Sequence, residues 1–222
     1  MKKTLVFASL GGLFFAGAAN AAYTGLYTEE YTSGYAAPDN SITFRLYATF
    51  DNAMDQVTGM GGTAQEPWTM VTEPGITFYN APSGGGHWAH DAFFDDFVDF
   101  LHYDSYWTIG TDDSSAGAPL GIAFPGVQPT WDDTTWLADD GGVYRTPDDP
   151  LSFPVDGMVL LGQFTFITAP GAQDVYAYGA VKLNGVSDGE ALSLYEEFAV
   201  PVPAPGALAL LGLAGLVGRR RR

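Results

Sequence analysis

The chain of 222 residues contains no cysteine and only nine lysine and arginine residues. Without cysteine there is no disulfide, no thiol nucleophile and no thiolate metal ligand, so stability must come from packing or from bound metal ions. Between residues 22 and 201 the only cations are Arg45, Arg145 and Lys182, whereas all 26 acidic residues lie there. So acidic a surface repels nucleic acid and anionic membranes, which excludes nucleic-acid binding as the function.

The sequence also lacks an apolar run of ordinary membrane-spanning length. The first apolar run, residues 5–18, follows Lys2 and Lys3 and leads into the small residues Ala21 and Ala22. This order is typical of a secretory signal peptide, and the run is shorter than the ~20 residues of a spanning helix. We therefore expect residues 1–21 to be removed during export through the Sec translocon. An N-terminal core helix or a membrane anchor is the alternative.

A second short apolar run lies at the C-terminus. Residues 206–218 are uncharged and rich in leucine, alanine and glycine, and four arginines follow them. Prolines before the run, at 201, 203 and 205, disrupt a longer helix. Clustered cations after an apolar helix stay on the cytoplasmic side, so the tail is expected to hold an exported chain at the membrane. A buried C-terminal helix with a frayed basic end is the alternative.

This tail resembles the PEP-CTERM sorting signal of Gram-negative and related bacteria. The matching residues are Val202, Pro203, Ala204 and Pro205, then residues 206–218, then Arg219, Arg220, Arg221 and Arg222. Ala204 stands where that family has glutamate. The resemblance implies that an exosortase, a membrane transpeptidase-like cysteine enzyme, cleaves near the motif. The protein would then be released or transferred to the cell surface.

Parts of the interior resemble segments of exported PEP-CTERM proteins of marine bacteria, which look like all-β domains. The residues that match are Phe78, Tyr79, Phe93, Phe94, Asp104, Ser105, Thr108, Ile109, Gly110, Gly141, Gly142, Pro147, Asp148, Asp149, Pro150, Asp156 and Gly157. This second resemblance implies an all-β fold and export, and it implies no activity.

Alternating apolar and polar residues predict short β-strands throughout residues 22–200. Residues 42–50 alternate strictly, and residues 158–168 begin apolar on both faces, as a central strand does. Further strands are expected at 75–80, 105–110, 174–183 and 191–200, with Asn184-Gly185 as a hairpin turn. Helical spacing over residues 90–101 predicts one short helix. The prediction is a single all-β domain, a β-sandwich or jelly-roll-like fold, between a signal helix (1–21) and a hydrophobic tail (201–222).

Two sets of side chains are candidate metal ligands. His87, His90 and His102 lie close in sequence, but their spacing is not H-E-x-x-H, and an aromatic-rich edge is the alternative. Aspartate pairs in loops suit Ca²⁺, which takes about six to eight oxygen ligands. A solvated acidic surface is the alternative for these pairs. The calcium candidates are Asp132, Asp133, Asp139 and Asp140.

Aromatic residues suggest a carbohydrate site. The stretch WDDTTW, residues 131–136, combines Trp131 and Trp136 with oxygen acceptors, although such rings are also ordinary core material. No G-x-S-x-G elbow is present, and adjacent carboxylates on a strand point to opposite sides, so we expect no enzyme. The expected function is a surface-sorted structural or adhesive protein of the envelope or exopolysaccharide matrix. The alternative is a carbohydrate-binding module, stabilised by calcium.

Overall fold

The computed structural model describes residues 22–81, 87–89, 99–114, 116, 120–125, 128–168 and 175–201. The predicted signal peptide, most of the helix predicted over 90–101, and the sorting tail lie outside these residues. Within the described part, two antiparallel sheets pack face to face, which confirms the predicted β-sandwich. The described segments include no helix with the length and apolar character needed to cross a membrane.

The described residues form thirteen strands and two short 3-10 helices. The smaller sheet contains β1 (Tyr23–Tyr31), β2 (Ser41–Phe50), β5 (Ile76–Phe78), β6 (Tyr106–Trp107) and β11 (Met158–Thr168). The larger sheet contains β3 (Gln56–Gly62), β4 (Trp68–Thr72), β7 (Gly121–Ala123), β8 (Thr130–Trp131), β9 (Thr135–Ala138), β10 (Gly141–Tyr144), β12 (Val175–Ser187) and β13 (Glu190–Pro201). The 3-10 helices are Asp99–Tyr103 and Pro150–Ser152.

The central strand of the smaller sheet is β11, as its continuous apolar sequence predicted. It pairs with β2 along one edge and with β5 and β6 along the other. Two threonines in register across β2 and β11, Thr43 and Thr165, share a buried hydrogen bond of 2.6 Å between their hydroxyls. Because each hydroxyl has a hydrogen-bond partner, these two buried polar side chains are tolerated among the apolar residues of β2 and β11.

The larger sheet divides into two arms at β12. One edge of β12 pairs with β13 along almost its whole length. The other edge pairs first with β4 and then with β3, which lie end to end and are interrupted by residues 63–67. The next strands repeat the interruption, since β9 pairs with β4 and β10 pairs with β3, with residues 139–140 between them.

The hairpin between β12 and β13 turns at Asp188-Gly189, so the turn predicted at Asn184-Gly185 was wrong. Asp188 and Gly189 have φ values of +53° and +78°, the conformation of a tight turn that matches strand twist. The buried carboxylate of Asp55 accepts hydrogen bonds from the Ser187 hydroxyl (3.0 Å) and from the Asp188 backbone amide (2.8 Å). This anchor, which is distant in sequence, favours a turn at Asp188-Gly189 over one at Asn184-Gly185.

All five tryptophans pack as one cluster between the two sheets. The ring of Trp68 is fully buried, with its centroid 4.8 Å from that of Trp107 and 5.0 Å from that of Trp136. Such rings each bury about 150–250 Å² of surface, so the cluster provides much of the core. Among the described residues, four of its buried indole nitrogens have no hydrogen-bond partner, namely those of Trp68, Trp107, Trp131 and Trp136.

Replacing Trp68 with alanine should destabilise the domain by about 3–5 kcal/mol, because the change leaves a large cavity among the indoles. The matched control is Tyr27→Ala on β1, whose ring is 47% exposed and which should change stability by less than about 1 kcal/mol. Urea unfolding followed by circular dichroism measures both. Equal losses of unfolding free energy in the two variants would contradict the assignment of Trp68 to the core.

Changing Glu196 to glutamine should stabilise the domain at neutral pH. Burial raises the pKa of Glu196, so the folded state disfavours its ionised form. A raised folded-state pKa stabilises the fold below the ordinary glutamate pKa of about 4.3, and this contribution is lost as pH rises through the folded value. The free energy of unfolding of Glu196→Gln should therefore increase relative to that of the wild type as pH rises through that range.

The control is Glu197→Gln, because Glu197 is the exposed neighbour on the other face of β13. Its stability should follow the wild type at every pH. The measurement is the urea midpoint from pH 4 to pH 8. Parallel curves for wild type and Glu196→Gln would show that Glu196 is ionised without cost.

Candidate functional site

The tryptophans predicted to bind sugar lie in the core. Trp131 and Trp136 are directly paired across the β8–β9 hairpin, with ring centroids 5.1 Å apart. Trp136 is fully buried, and the half-buried Trp131 also packs against Phe78 at 5.7 Å. In this structure the Trp136 ring has no face open to a sugar, and Trp131 is turned toward the same core.

The tip of the same hairpin joins the two sheets. A carboxylate oxygen of Asp132 accepts hydrogen bonds from the backbone amides of Thr134 (2.8 Å) and Thr135 (2.7 Å). These bonds, the one from Thr134 above all, lower the pKa of Asp132. The Asp133 carbonyl accepts from the Phe78 amide of the smaller sheet at 2.7 Å. The polar residues of WDDTTW therefore form a structural corner.

Those candidate metal ligands that the structure describes do not converge. Nowhere in the described segments do three histidine or acidic side chains come close enough to hold a metal ion. Asp139 and Asp140 lie exposed in the interruption between β9 and β10, at the opposite end of β9 from the turn that uses Asp132. The four predicted calcium ligands are therefore divided between two separate turns.

The two histidines that the structure describes, His87 and His102, pack against different aromatic side chains. His87 packs edge-on against Trp136 at 5.3 Å, and burial lowers its pKa. His102 stacks on Tyr35, with ring centroids 3.9 Å apart. His90 lies outside the described residues. The placement of the two described histidines matches the aromatic-edge alternative.

The outer face of the larger sheet, turned away from the sandwich core, has exposed aromatic and aliphatic side chains. Tyr178 on β12 is 52% exposed, and Tyr144 on β10 is 50% exposed. Val71 and Leu137, on β4 and β9, are also open to solvent. These residues occupy the outward positions of their strands, which alternate with the buried ones. Two grooves lie on this face.

A ridge separates the two grooves. Residues 63–67 form a tight turn in which Thr63 and Glu66 exchange both backbone hydrogen bonds, at 2.9 and 3.2 Å. The Lys182 ammonium pairs with the Glu66 carboxylate at 2.6 Å, and the Tyr195 hydroxyl donates to the Pro67 carbonyl at 2.9 Å. Because Lys182 and Tyr195 are outward residues of β12 and β13, the turn stands on the outer face.

The first groove, which we call the glycine groove, has a volume of about 590 Å³. Glycines line it where β3 and β10 approach closely: a Cβ on Gly61 would lie 2.4 Å from the Gly141 carbonyl oxygen. Gly59 differs, because a Cβ there would make only ordinary contacts, with the Asn184 Cβ at 3.5 Å, the Asn184 Nδ2 at 3.7 Å and the Val143 carbonyl oxygen at 3.8 Å. A molecule in this groove would therefore lie close to backbone groups and beside the Asn184 amide.

Tyr144 forms one wall of the glycine groove and is held by its neighbour. The phenol end of its ring occupies the space in which a Cβ of Gly121 would stand, with ring atoms 2.4–2.7 Å from that position. Only glycine at 121 leaves room for this ring. Tyr144 is thus a half-exposed aromatic surface, packed over Gly121, beside a groove with polar groups from Thr58 and Asn184.

The second groove, which we call the tyrosine groove, lies on the β4 and β13 side of the ridge. Its volume is about 510 Å³. Its lining combines tyrosine rings with small, aliphatic and acidic residues, namely Thr69, Val71, Tyr178, Gly179, Ala180, Tyr195, Glu197, Phe198 and Ala199. Both grooves therefore place tyrosine rings beside polar groups, which is an arrangement suited to non-covalent binding of an amphipathic ligand.

Sequence reasoning missed Tyr144 and Tyr178. Tyr178 lies in VYAYGA, where a strand was predicted without its outward face, and Tyr144 lies in GGVY, where no strand was predicted. The signal that was present is the glycine pair before Tyr144, since glycine in a strand often marks a close approach of backbone or ligand.

Comparisons with known proteins give only distant structural likenesses. No family model matches the chain, and no curated protein matches it. A cohesin module from a family 33 glycoside hydrolase of Clostridium perfringens is similar at 10% identity, with 80% of this chain and 96% of that one covered and a TM-score of 0.29. A DUF4466 family protein from Parabacteroides merdae is similar at 9% identity, covering 80% and 45%, with a TM-score of 0.22.

Fold and outer face together define the class of protein: a β-sandwich domain with two open, tyrosine-bearing grooves on its larger sheet. The comparisons add no particular family to this description.

Proposed function

We propose that this chain is an exported, non-catalytic adhesive domain that binds an uncharged polysaccharide of the envelope or exopolysaccharide matrix in the glycine groove. The observation that supports it is the ring of Tyr144, held over Gly121 and half exposed beside the groove. A tyrosine ring is apolar on its faces and polar at its hydroxyl. A sugar ring has the complementary surfaces, C–H groups on its faces and hydroxyls at its edge.

The other groups of the groove suit hydroxyl-rich ligands. The Asn184 amide provides both donor and acceptor, and its carbonyl oxygen already accepts from the Ser193 hydroxyl at 3.0 Å, which orients it. A volume of about 590 Å³ falls within the range of about 300–1,000 Å³ that small-molecule sites have. The glycine floor lets a flat ring approach the sheet closely.

The charge of the chain favours an uncharged polymer. Its formal net charge is −17 at pH 7, and each of its three cations between residues 22 and 201 is paired with a carboxylate. Lys182 at the edge of the groove is paired with Glu66 at 2.6 Å. Acidic polysaccharides would meet net repulsion at this surface.

Binding without catalysis agrees with the groups that line the groove. Glycoside hydrolysis ordinarily needs two carboxyl groups on either side of the scissile bond. Asp140 is the one carboxyl group among the described lining residues of the glycine groove. The other polar side chains among these lining residues are the hydroxyls of Thr58, Thr63 and Tyr144, the Asn184 amide and the Lys182 ammonium.

The proposal of export and surface sorting depends on the terminal segments and agrees with where the fold ends. The last strand, β13, ends at Pro201, and its residue Val200 is fully buried. Cleavage within residues 202–205 would therefore remove no core residue of the described domain. An exosortase could process the tail after the domain has folded.

Tyr144→Ala should weaken polysaccharide binding at least tenfold, because it removes the stacking surface, while leaving the melting temperature close to that of the wild type. Tyr27→Ala, a similarly exposed tyrosine of the smaller sheet, should bind as the wild type does. Gly59→Leu should also block binding, since its side chain enters the groove without a backbone clash.

The measurement is affinity electrophoresis of the folded domain in gels that contain hydroxyethyl cellulose, xylan, galactomannan or dextran. A wild-type protein retarded by none of these uncharged polymers would contradict the proposed function. Unchanged retardation of both Tyr144→Ala and Gly59→Leu would contradict the proposed site.

Protein recovered from its native cells should have lost both terminal segments. The expected intact mass begins at Ala22 or nearby and ends within residues 202–205, with or without an added group. Mass spectrometry of the purified protein measures this. A mass that includes Arg222 would contradict processing by an exosortase, and a mass that includes Met1 would contradict signal-peptide removal.

A further inference from the structure

We infer that the tyrosine groove is a second glycan subsite, so that the domain binds internal segments of a long, linear, uncharged polysaccharide across both grooves. This inference depends on the proposed function, because it extends the ligand from one groove to two. It specifies a ligand class: polymers and long oligosaccharides, with chain ends and disaccharides bound more weakly.

The two grooves share one strand and one face. Tyr178 of the tyrosine groove and Asn184 of the glycine groove are six residues apart on β12, and both are outward residues. At about 3.3 Å per residue this separation is about 20 Å. Tyr144 lies level with Asn184, because each of them is in register with Gly59 of β3. The two half-exposed tyrosines therefore stand about that distance apart along the sheet.

The surroundings of Tyr178 support a stacking surface. In register with it are Val71 on β4 and Ala199 on β13, an exposed aliphatic residue on one side and a small one on the other. Tyr195 and Glu197 add a ring, a hydroxyl and a carboxylate to the same groove. These are the same types of group that the glycine groove presents, an aromatic ring beside hydrogen-bonding groups.

The ridge between the grooves is polar at the place where a ligand would cross it. Lys182 and Glu66 meet there at 2.6 Å, and both side chains are partly exposed, at 28% and 41%. A paired ammonium and carboxylate present donors and acceptors to hydroxyl groups without a net charge. An uncharged polymer can therefore cross the ridge and keep its hydrogen bonds.

Length dependence follows from having two linked subsites. A short oligosaccharide fills one groove, whereas a chain longer than about 20 Å reaches both. The second contact is then intramolecular, and effective concentration increases the overall affinity. Affinity should consequently rise with chain length beyond the size that one groove accommodates.

The experiment measures binding of oligosaccharides prepared from the polymer that retards the wild type, from disaccharide to octasaccharide, by isothermal titration calorimetry. For Tyr178→Ala we expect at least tenfold weaker binding of the polymer and the longest oligosaccharide, with binding of the shortest ones unchanged. Tyr178→Phe, which keeps the ring, should bind the polymer as the wild type does. Tyr144→Ala should weaken binding at every length, and Tyr27→Ala at none.

Two outcomes distinguish the inference from the proposed function. If Tyr178→Ala binds the polymer as the wild type does while Tyr144→Ala does not, the second subsite is refuted and the glycine groove remains. If neither substitution changes binding, both the inference and the proposed site are refuted. An affinity that does not rise with chain length would also overturn the inference. Melting temperatures of all variants check that each one is folded.

Discussion

The contact of Trp68 with its neighbouring indoles is the interaction on which the arrangement of the larger sheet depends. Trp68 is the first residue of β4 and is fully buried against Trp107 and Trp136. Its ring lies between the sheets, whereas the chain just before it leaves the line of β3 and β4 and then returns to it. Residues 63–67 make this excursion on the outer face, and a Cβ on Gly62 would lie only 2.3 Å from the Trp68 amide nitrogen. The ridge that divides the outer face into two grooves therefore ends at a residue whose ring is anchored in the core.

Each of the three cations between residues 22 and 201 has a structural task. Arg145 and Asp149 form an ion pair whose side chains are each 2% exposed, and the Arg145 Nε also donates to the Ile109 carbonyl at 2.6 Å. Arg45 bridges from the smaller sheet to Asp112, and Lys182 holds the ridge through Glu66. With its cations engaged in this way, the domain presents a surface dominated by carboxylates. This electrostatic condition is the reason that the proposed partner is uncharged.

Prediction from sequence succeeded for strands with a long, clear alternation of apolar and polar residues. It failed where contacts with residues distant in sequence determined the local structure. Strands β2, β11 and β13 were predicted almost to the residue, because their apolar patterns are long. Strand β3, with the sequence QVTGMGG, was missed because its glycines have no side chain to alternate and serve a close approach to β10. The Asn184-Gly185 signal was misleading because only Asp55, far away in sequence, selects the later turn. The candidate site was missed for a similar reason: Trp131 and Trp136 were the sugar-site candidates, with core packing as the alternative, and Tyr144 was not singled out.

The sequence by itself determined an all-β fold, a core without disulfides and an acidic surface, since these follow from residue period and composition. The terminal segments likewise led to the expectation of export. Only the tertiary structure decided which aromatic rings are core and which are open to a ligand. Alternation assigns the residues of a strand to two faces, but it does not say which face the second sheet covers. That choice was made by packing between sheets, which buried Trp136 and left Tyr144 and Tyr178 on the open face.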